Sequence, residues 1–115
     1  MHEMSIAQNI VNIVEDEMSR HGVDKIQAIN ITTGKLSAVV PAHLSMCFKI
    51  LTENTKFSKT ILNIEVIPIC YTCTKCKKYF TSEKLIFHCI YCKEKNPVIT
   101  AGKELSVQSI ETGEE

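Results

Sequence analysis

Arginine is nearly missing from this 115-residue chain, Arg20 being the sole one. Base edges and phosphates are read best by a planar guanidinium fork, so a nucleic-acid reader would have to be built here from lysine. A net charge is missing too: thirteen basic and thirteen acidic residues cancel, so no global field draws nucleic acid. No apolar run approaches the roughly 20 residues that span a bilayer, which predicts no membrane insertion. Low-complexity tracts are absent, and no internal repeat stands out beyond a doubled C-x-x-C. The first residues lack the basic start, apolar run and small-residue cleavage site of a secretory signal. The expectation is a cytoplasmic protein whose thiols stay reduced.

What the chain does have is cysteine, six in all. Cys73 and Cys76 enclose Thr74-Lys75, and after residues 77–88 Cys89 and Cys92 enclose Ile90-Tyr91. A two-residue gap brings two sulfurs to one metal from a tight turn, and a second such turn completes a tetrahedron. Four thiolates leave no open position for a substrate, so the zinc predicted here holds structure and does no chemistry. A pair of disulfides is the competing reading, disfavoured in a reducing compartment. Cys70 forms a third C-x-x-C with Cys73 and leaves a Cys70/Cys73 pair open, although Cys73/Cys76 gives the shorter gap to Cys89. His88, beside Cys89, is a further alternative ligand. Cys47 reads as a core residue. The connection at 77–88 is long enough for a short hairpin, with Tyr79, Phe80, Leu85 and Phe87 available for a small apolar cluster.

Charge is unevenly spread. Residues 69–104 carry seven lysines against three acids, and the remainder six basic groups against ten acids. Part of the lysine excess offsets the charge of about −2 on a zinc bound by four thiolates.

Hydrophobic periodicity predicts a helix over 4–21, with Ile6, Ile10, Ile13, Val14 and Met18 in its stripe, Ser5 and Gln8 as a capping box and Gly22 as its stop. Residues 26–33 read as a strand covered on both faces, after which Gly34 turns the chain. A second helix begins at Pro41 and buries Leu44, Cys47, Phe48 and Leu51. The stretch 52–60 reads as a polar loop. Residues 61–67 alternate as a strand, with Leu62, Ile64 and Val66 facing one way, and Pro68 ends it. A short strand at 98–100, a turn at Gly102 and a last strand over 105–112 follow. The cysteine lobe is then an insertion between two strands of the main sheet.

The opening Met1-His2-Glu3 adds a second donor set. An α-amine, the amides of His2 and Glu3 and the His2 imidazole can close fused chelate rings, and planar nitrogen donors suit nickel(II) or copper(II) better than zinc. The plain alternative is a frayed terminus.

Taken together, the initial Met-His-Glu, the first helix, the Ile-rich strand ending at Gly34, the helix through Phe48 and the two late C-x-x-C pairs resemble the HypA/HybF family. That family comprises nickel-insertion accessory proteins of nickel-iron hydrogenase maturation, and the likeness spans nearly the whole chain. It implies a nickel site of the Met1 amine, His2 and the Glu3 backbone amide, with Ni2+ as transient cargo. It also implies structural Zn2+ on Cys73, Cys76, Cys89 and Cys92, and sets Cys70 aside. Where some members carry an acidic residue before the second helix, this chain has Val40. The implied partners are a HypB-type nickel GTPase and a hydrogenase large-subunit precursor, with no nucleic acid and no membrane, and the chain is expected as a monomer or weak homodimer.

The expected fold is α+β: two helices packed on a small, about three-stranded sheet, with an inserted zinc-ribbon-like lobe. Residues 1–68, completed by 98–115, form the nickel-binding domain, and 69–97 the zinc-binding lobe. Binding and hand-over are expected, with no catalysed reaction: His43 and His88 stand isolated, and cysteines engaged at a metal are poorly placed to cycle as a dithiol. The alternative function is a zinc-ribbon module that binds nucleic acid, favoured by the lysines and by Tyr71, Tyr79, Phe80, Phe87 and Tyr91 of the lobe.

Overall fold

The computed structural model describes residues 2–112. In chain order it contains α1 (Glu3–His21), β1 (Ile26–Gly34), a 3-10 turn (Lys35–Ser37), α2 (Pro41–Thr52), β2 (Ile61–Ile67), β3 (Ile69–Thr72), β4 (Tyr79–Ser82), β5 (Val98–Ala101) and β6 (Leu105–Thr112). The strands form two three-stranded sheets, ordered β2-β1-β6 and β4-β3-β5. The chain divides into two compact units. One holds residues 1–31, 39–65 and 106–115, the other 32–38 and 66–105.

In the first unit α1 packs on α2. The core is Ala7, Ile10, Val14 and Met18 from α1, Ile26, Ile29 and Ile31 from β1, and Leu44 and Phe48 from α2, with Phe57. Each large side chain here contributes about 1.5–3 kcal/mol by leaving water. The expected stripe of α1 holds at Ile10, Val14 and Met18, with Ile6 packed against the core, and differs at two positions. Ala7 is buried while Ile13 stays 48% exposed, because 7, 10, 14 and 18 lie along one line of the helix. α1 begins at Glu3 with His2 as its N-cap and makes no side-chain cap bond, so Ser5 lies inside the first turn and the expected capping box does not form. Gly22 ends the helix in the left-handed region, its N–H donating to the Met18 carbonyl. Phe57 was hidden in a stretch that reads as polar loop, yet is 3% exposed. On β2, Leu62 and Ile64 pack on the core, whereas Val66 is exposed.

In the second unit β3 is central and antiparallel to both neighbours. Tyr71 lies opposite Phe80 on β4 and Ile99 on β5. Ile69, Tyr71, Cys73, Phe80 and Cys89 form its core, with Leu36, Cys76, Ile86 and Ile99 packed around them. The Tyr71 and Phe80 rings stack at 5.0 Å. The compact unit that holds the cysteines includes residues beyond 69–97. β5 hydrogen-bonds to β3, and the N–H groups of Gly34 and Leu36 donate to the carbonyls of Glu104 and Gly102, each at 2.7 Å. Residues 32–38 and 98–105 therefore belong to the cysteine-bearing unit. The expected hairpin within 77–88 is also corrected: β4 pairs with β3, and of the four apolar residues there only Phe80 is buried, Tyr79, Leu85 and Phe87 lying exposed.

Candidate metal centre

Each C-x-x-C pair sits in a turn of the same construction. The N–H of Cys73 donates to the Lys78 carbonyl (2.9 Å) and that of Lys77 to the Cys73 carbonyl (3.0 Å); Cys89 makes the matching bonds with Glu94 (2.8 Å) and Lys93 (3.0 Å). Closing such a turn drives the residue after each pair into the left-handed region, and Lys77 and Lys93 have φ of 66° and 69°. Backbone N–H groups then point at sulfur: Cys76 N–H to Cys73 Sγ, and the N–H groups of Tyr91 and Cys92 to Cys89 Sγ, at 3.3–3.5 Å.

The two turns face each other. Cys73 Sγ lies 3.6 Å from Cys92 Sγ, and Cys76 Sγ 3.7 Å from Cys89 Sγ. All four sulfurs lie within 4.8 Å of one another, the one such group of three or more metal-ligating side chains among the described residues. Zinc–sulfur bonds of about 2.3 Å in a tetrahedron require sulfur–sulfur edges of about 3.8 Å, so the donor set fits that ion. All six cysteines are free thiols.

Strand alternation resolves the choice between Cys70 and Cys76. Ile69 and Tyr71 face inward from β3 and Cys73 continues that parity, so Cys70 lies on the other face, its thiol near the Pro68 carbonyl at 3.7 Å. His88 pairs through its backbone with Lys95 and is outside the cluster. Cys47 packs at the edge of the first unit's core.

The four thiols are unequal. Burial alone would raise Cys89, but the N–H groups of Cys92 and Tyr91 and the neighbouring sulfurs outweigh it and bring the thiol down to about 6. The Glu94 N–H favours the Cys92 thiolate, yet burial and three nearby sulfurs push that group up to about 11. Cys73 is lowered, foremost by the Cys76 N–H. In the metal-free cluster protons are thus shared, and a divalent cation is what allows all four to be thiolates together.

At the other site Met1 lies outside the described residues. His2 is exposed. The Glu3 carboxylate accepts a hydrogen bond from the Val40 N–H at 3.2 Å, and this bond is the foremost cause of its lowered pKa. Sequence reasoning missed this contact, since nothing in residues 3 and 40 marks them as neighbours.

A chain with one α/β unit and one β unit, the second carrying four cysteine sulfurs within 4.8 Å of one another, has by fold and site the make-up of a metal-binding protein whose cluster is compatible with zinc. The family model described as hydrogenase/urease nickel incorporation, metallochaperone HypA, matches residues 1–112, and the chain belongs to that family. It is 39% identical over 116 residues to the hydrogenase maturation factor HypA of Lawsonia intracellularis, covering 96% of this chain and 98% of that protein. Identity to the factor of the same name from Desulfatibacillum aliphaticivorans is 38% over 115 residues, covering 99% of this chain and 88% of that one. The solution structure of the Ni metallochaperone HypA from Helicobacter pylori superposes with a TM-score of 0.68 at 26% identity over the whole of both chains. A second HypA solution structure gives 0.72, also at 26% identity, covering 100% of this chain and 98% of that one.

Proposed function

We propose that this chain carries nickel(II) on nitrogen donors at its amino end, hands it to a nickel-iron hydrogenase large-subunit precursor, and holds zinc permanently on Cys73, Cys76, Cys89 and Cys92. The observation that carries the reading is the four-sulfur cluster in a chain of the HypA family whose sequence opens Met1-His2-Glu3. Two donor types keep two metals apart: thiolates retain zinc, while the Met1 amine, the His2 imidazole and the Glu3 amide suit nickel. Glu3 is the first residue of α1. The opening N–H groups of a helix have no intrahelical carbonyl partner, and that of Glu3 meets its own carboxylate instead, a contact that nickel ligation by the amide would replace. An exposed, nitrogen-based site releases its ion readily, which a carrier needs. The reading includes no catalysed reaction, a cytoplasmic setting that keeps thiolates reduced, and a HypB-type GTPase as the upstream source of nickel.

Untagged protein should bind one nickel besides its zinc, and His2→Ala should lose the nickel and keep the zinc. Protons compete for the same nitrogens, so nickel affinity should fall steeply below neutral pH. Nickel retained by His2→Ala, or an affinity flat with pH, refutes the terminal site.

A further inference from the structure

A cavity of about 560 Å³ opens in the first unit where the start of β1 meets the loop after α2. Lys25 and Gln27 line it from one side, and Lys56, Ser58 and Lys59 from the other, with no acidic side chain in the lining. The unit around it has the opposite character. Its sequence holds five basic residues against ten acids, and three of those five meet here. The loop is built to hold them. The N–H groups of Thr55, Ser58 and Thr60 donate to the carbonyls of Thr52, Thr55 and Phe57 at 3.0–3.1 Å, closing successive tight turns. Phe57 is sunk into the core, while Lys56, Ser58 and Lys59 around it stay at the surface. The Thr60 hydroxyl donates to the Ile26 carbonyl at 2.8 Å and ties the loop to β1. Among the described residues only Lys56 of the three lysines makes an ion pair, with Glu15 at 4.0 Å. A concave surface lined by one sign of charge concentrates counter-ions.

We propose that this cavity binds the phosphate chain of a compact polyanion, of the pyrophosphate or nucleoside-triphosphate class. Lysine ammonium groups are point charges on flexible stems, which suit a short chain of phosphates with high charge density. The Ser58 hydroxyl and the Gln27 amide add neutral donors. Nothing in the lining reads a base: it has no aromatic ring to stack on and no guanidinium. Recognition therefore stops at the phosphates, and free pyrophosphate and nucleotides compete for one place. All three lysines are exposed, so solvent screens each contact and binding weakens as salt rises. The site uses no residue of the sulfur cluster and none of the first three residues.

The test titrates untagged, zinc-loaded protein with sodium pyrophosphate at low ionic strength, followed by amide NMR and calorimetry. Pyrophosphate should shift the amide signals of residues 25–27 and 55–60. Lys25→Ala and Lys59→Ala should each weaken it about two- to fivefold, and the double variant about tenfold. Both positions are exposed, so these substitutions leave the core intact. Lys49→Ala is the control: it removes the same charge from the same unit at an exposed position outside the cavity, and should change affinity less than about twofold. Tripolyphosphate, ATP and GTP, added in separate arms, should bind with equal affinity. No shift at those amides, or a loss in Lys49→Ala as large as in Lys25→Ala, overturns the proposal. A clear preference for one base overturns it as well. Tighter binding of a glutamate-rich peptide than of pyrophosphate does the same, by making the patch a protein-docking surface.

Discussion

Gly34→Ala is expected to destabilise the cysteine-bearing unit through contact and not through conformation. Gly34 has φ −79° and ψ 152°, which alanine adopts freely. The obstacle is room: a Cβ there would sit 2.0 Å from the Gly102 carbonyl carbon and oxygen and 2.5 Å from the Lys103 nitrogen, all backbone atoms. Carbon contacts settle near ~3.5 Å, so the two segments must part by about 1.5 Å. The bonds from the Gly34 and Leu36 N–H groups, both 2.7 Å long, then stretch beyond hydrogen-bonding range. Losing two such bonds costs about 2 kcal/mol, and strained packing adds ~1–3 kcal/mol. Reduced freedom of the unfolded chain returns ~0.4–1 kcal/mol. The net expectation is about 2–4 kcal/mol. Gly22→Ala is the control: φ is 63° there and nothing lies within 4 Å of the added carbon, so only backbone strain of about 1 kcal/mol is incurred. Urea unfolding of the zinc-loaded protein, followed by circular dichroism, measures both. A Gly34→Ala cost below that of Gly22→Ala would refute the steric argument.

Tyr71→Phe should cost about 1–2 kcal/mol by equilibrium unfolding, because the phenol donates to the Lys84 carbonyl and accepts from the Ile86 N–H; an unchanged midpoint would mean water replaces both bonds. Stripping zinc with a chelator should collapse the amide dispersion of residues 69–101 while α1 signals persist, since the Cys73 and Cys89 side chains are part of that unit's core. In the metal-free protein, thiolate absorbance should rise in a first step near 6, from Cys89, and a last near 11, from Cys92. The signs are opposite. The Cys89 value lies below the ordinary 9.0, so its stabilising contribution is full above that pH and lost as pH falls through about 6. The Cys92 value lies above 9.0, so its contribution is present below that pH and lost as pH rises through about 11.

The four-cysteine site was legible because its information is local: a C-x-x-C turn aims its sulfurs by short-range backbone geometry, whatever surrounds it. The strand over 105–112, the helix start at Pro41 and the stop at Gly22 were legible for the same reason, each set by residues within one turn. Packing required more than local pattern. Ala7 replaces Ile13 in the core because the partner surface selects which line of α1 is covered, and Phe57 is buried because it joins the first unit's core from a stretch that is otherwise polar.

The sequence by itself determined which residues bear metal-binding chemistry, since donor type and spacing are properties of the chain. Only the tertiary structure decided which donors meet. Inward parity on β3 selects Cys73 and turns Cys70 away, and the packing of α1 on α2 brings the Val40 N–H within reach of the Glu3 carboxylate. Such encounters depend on strand pairing and helix docking between residues far apart in sequence, which no short window of the chain encodes.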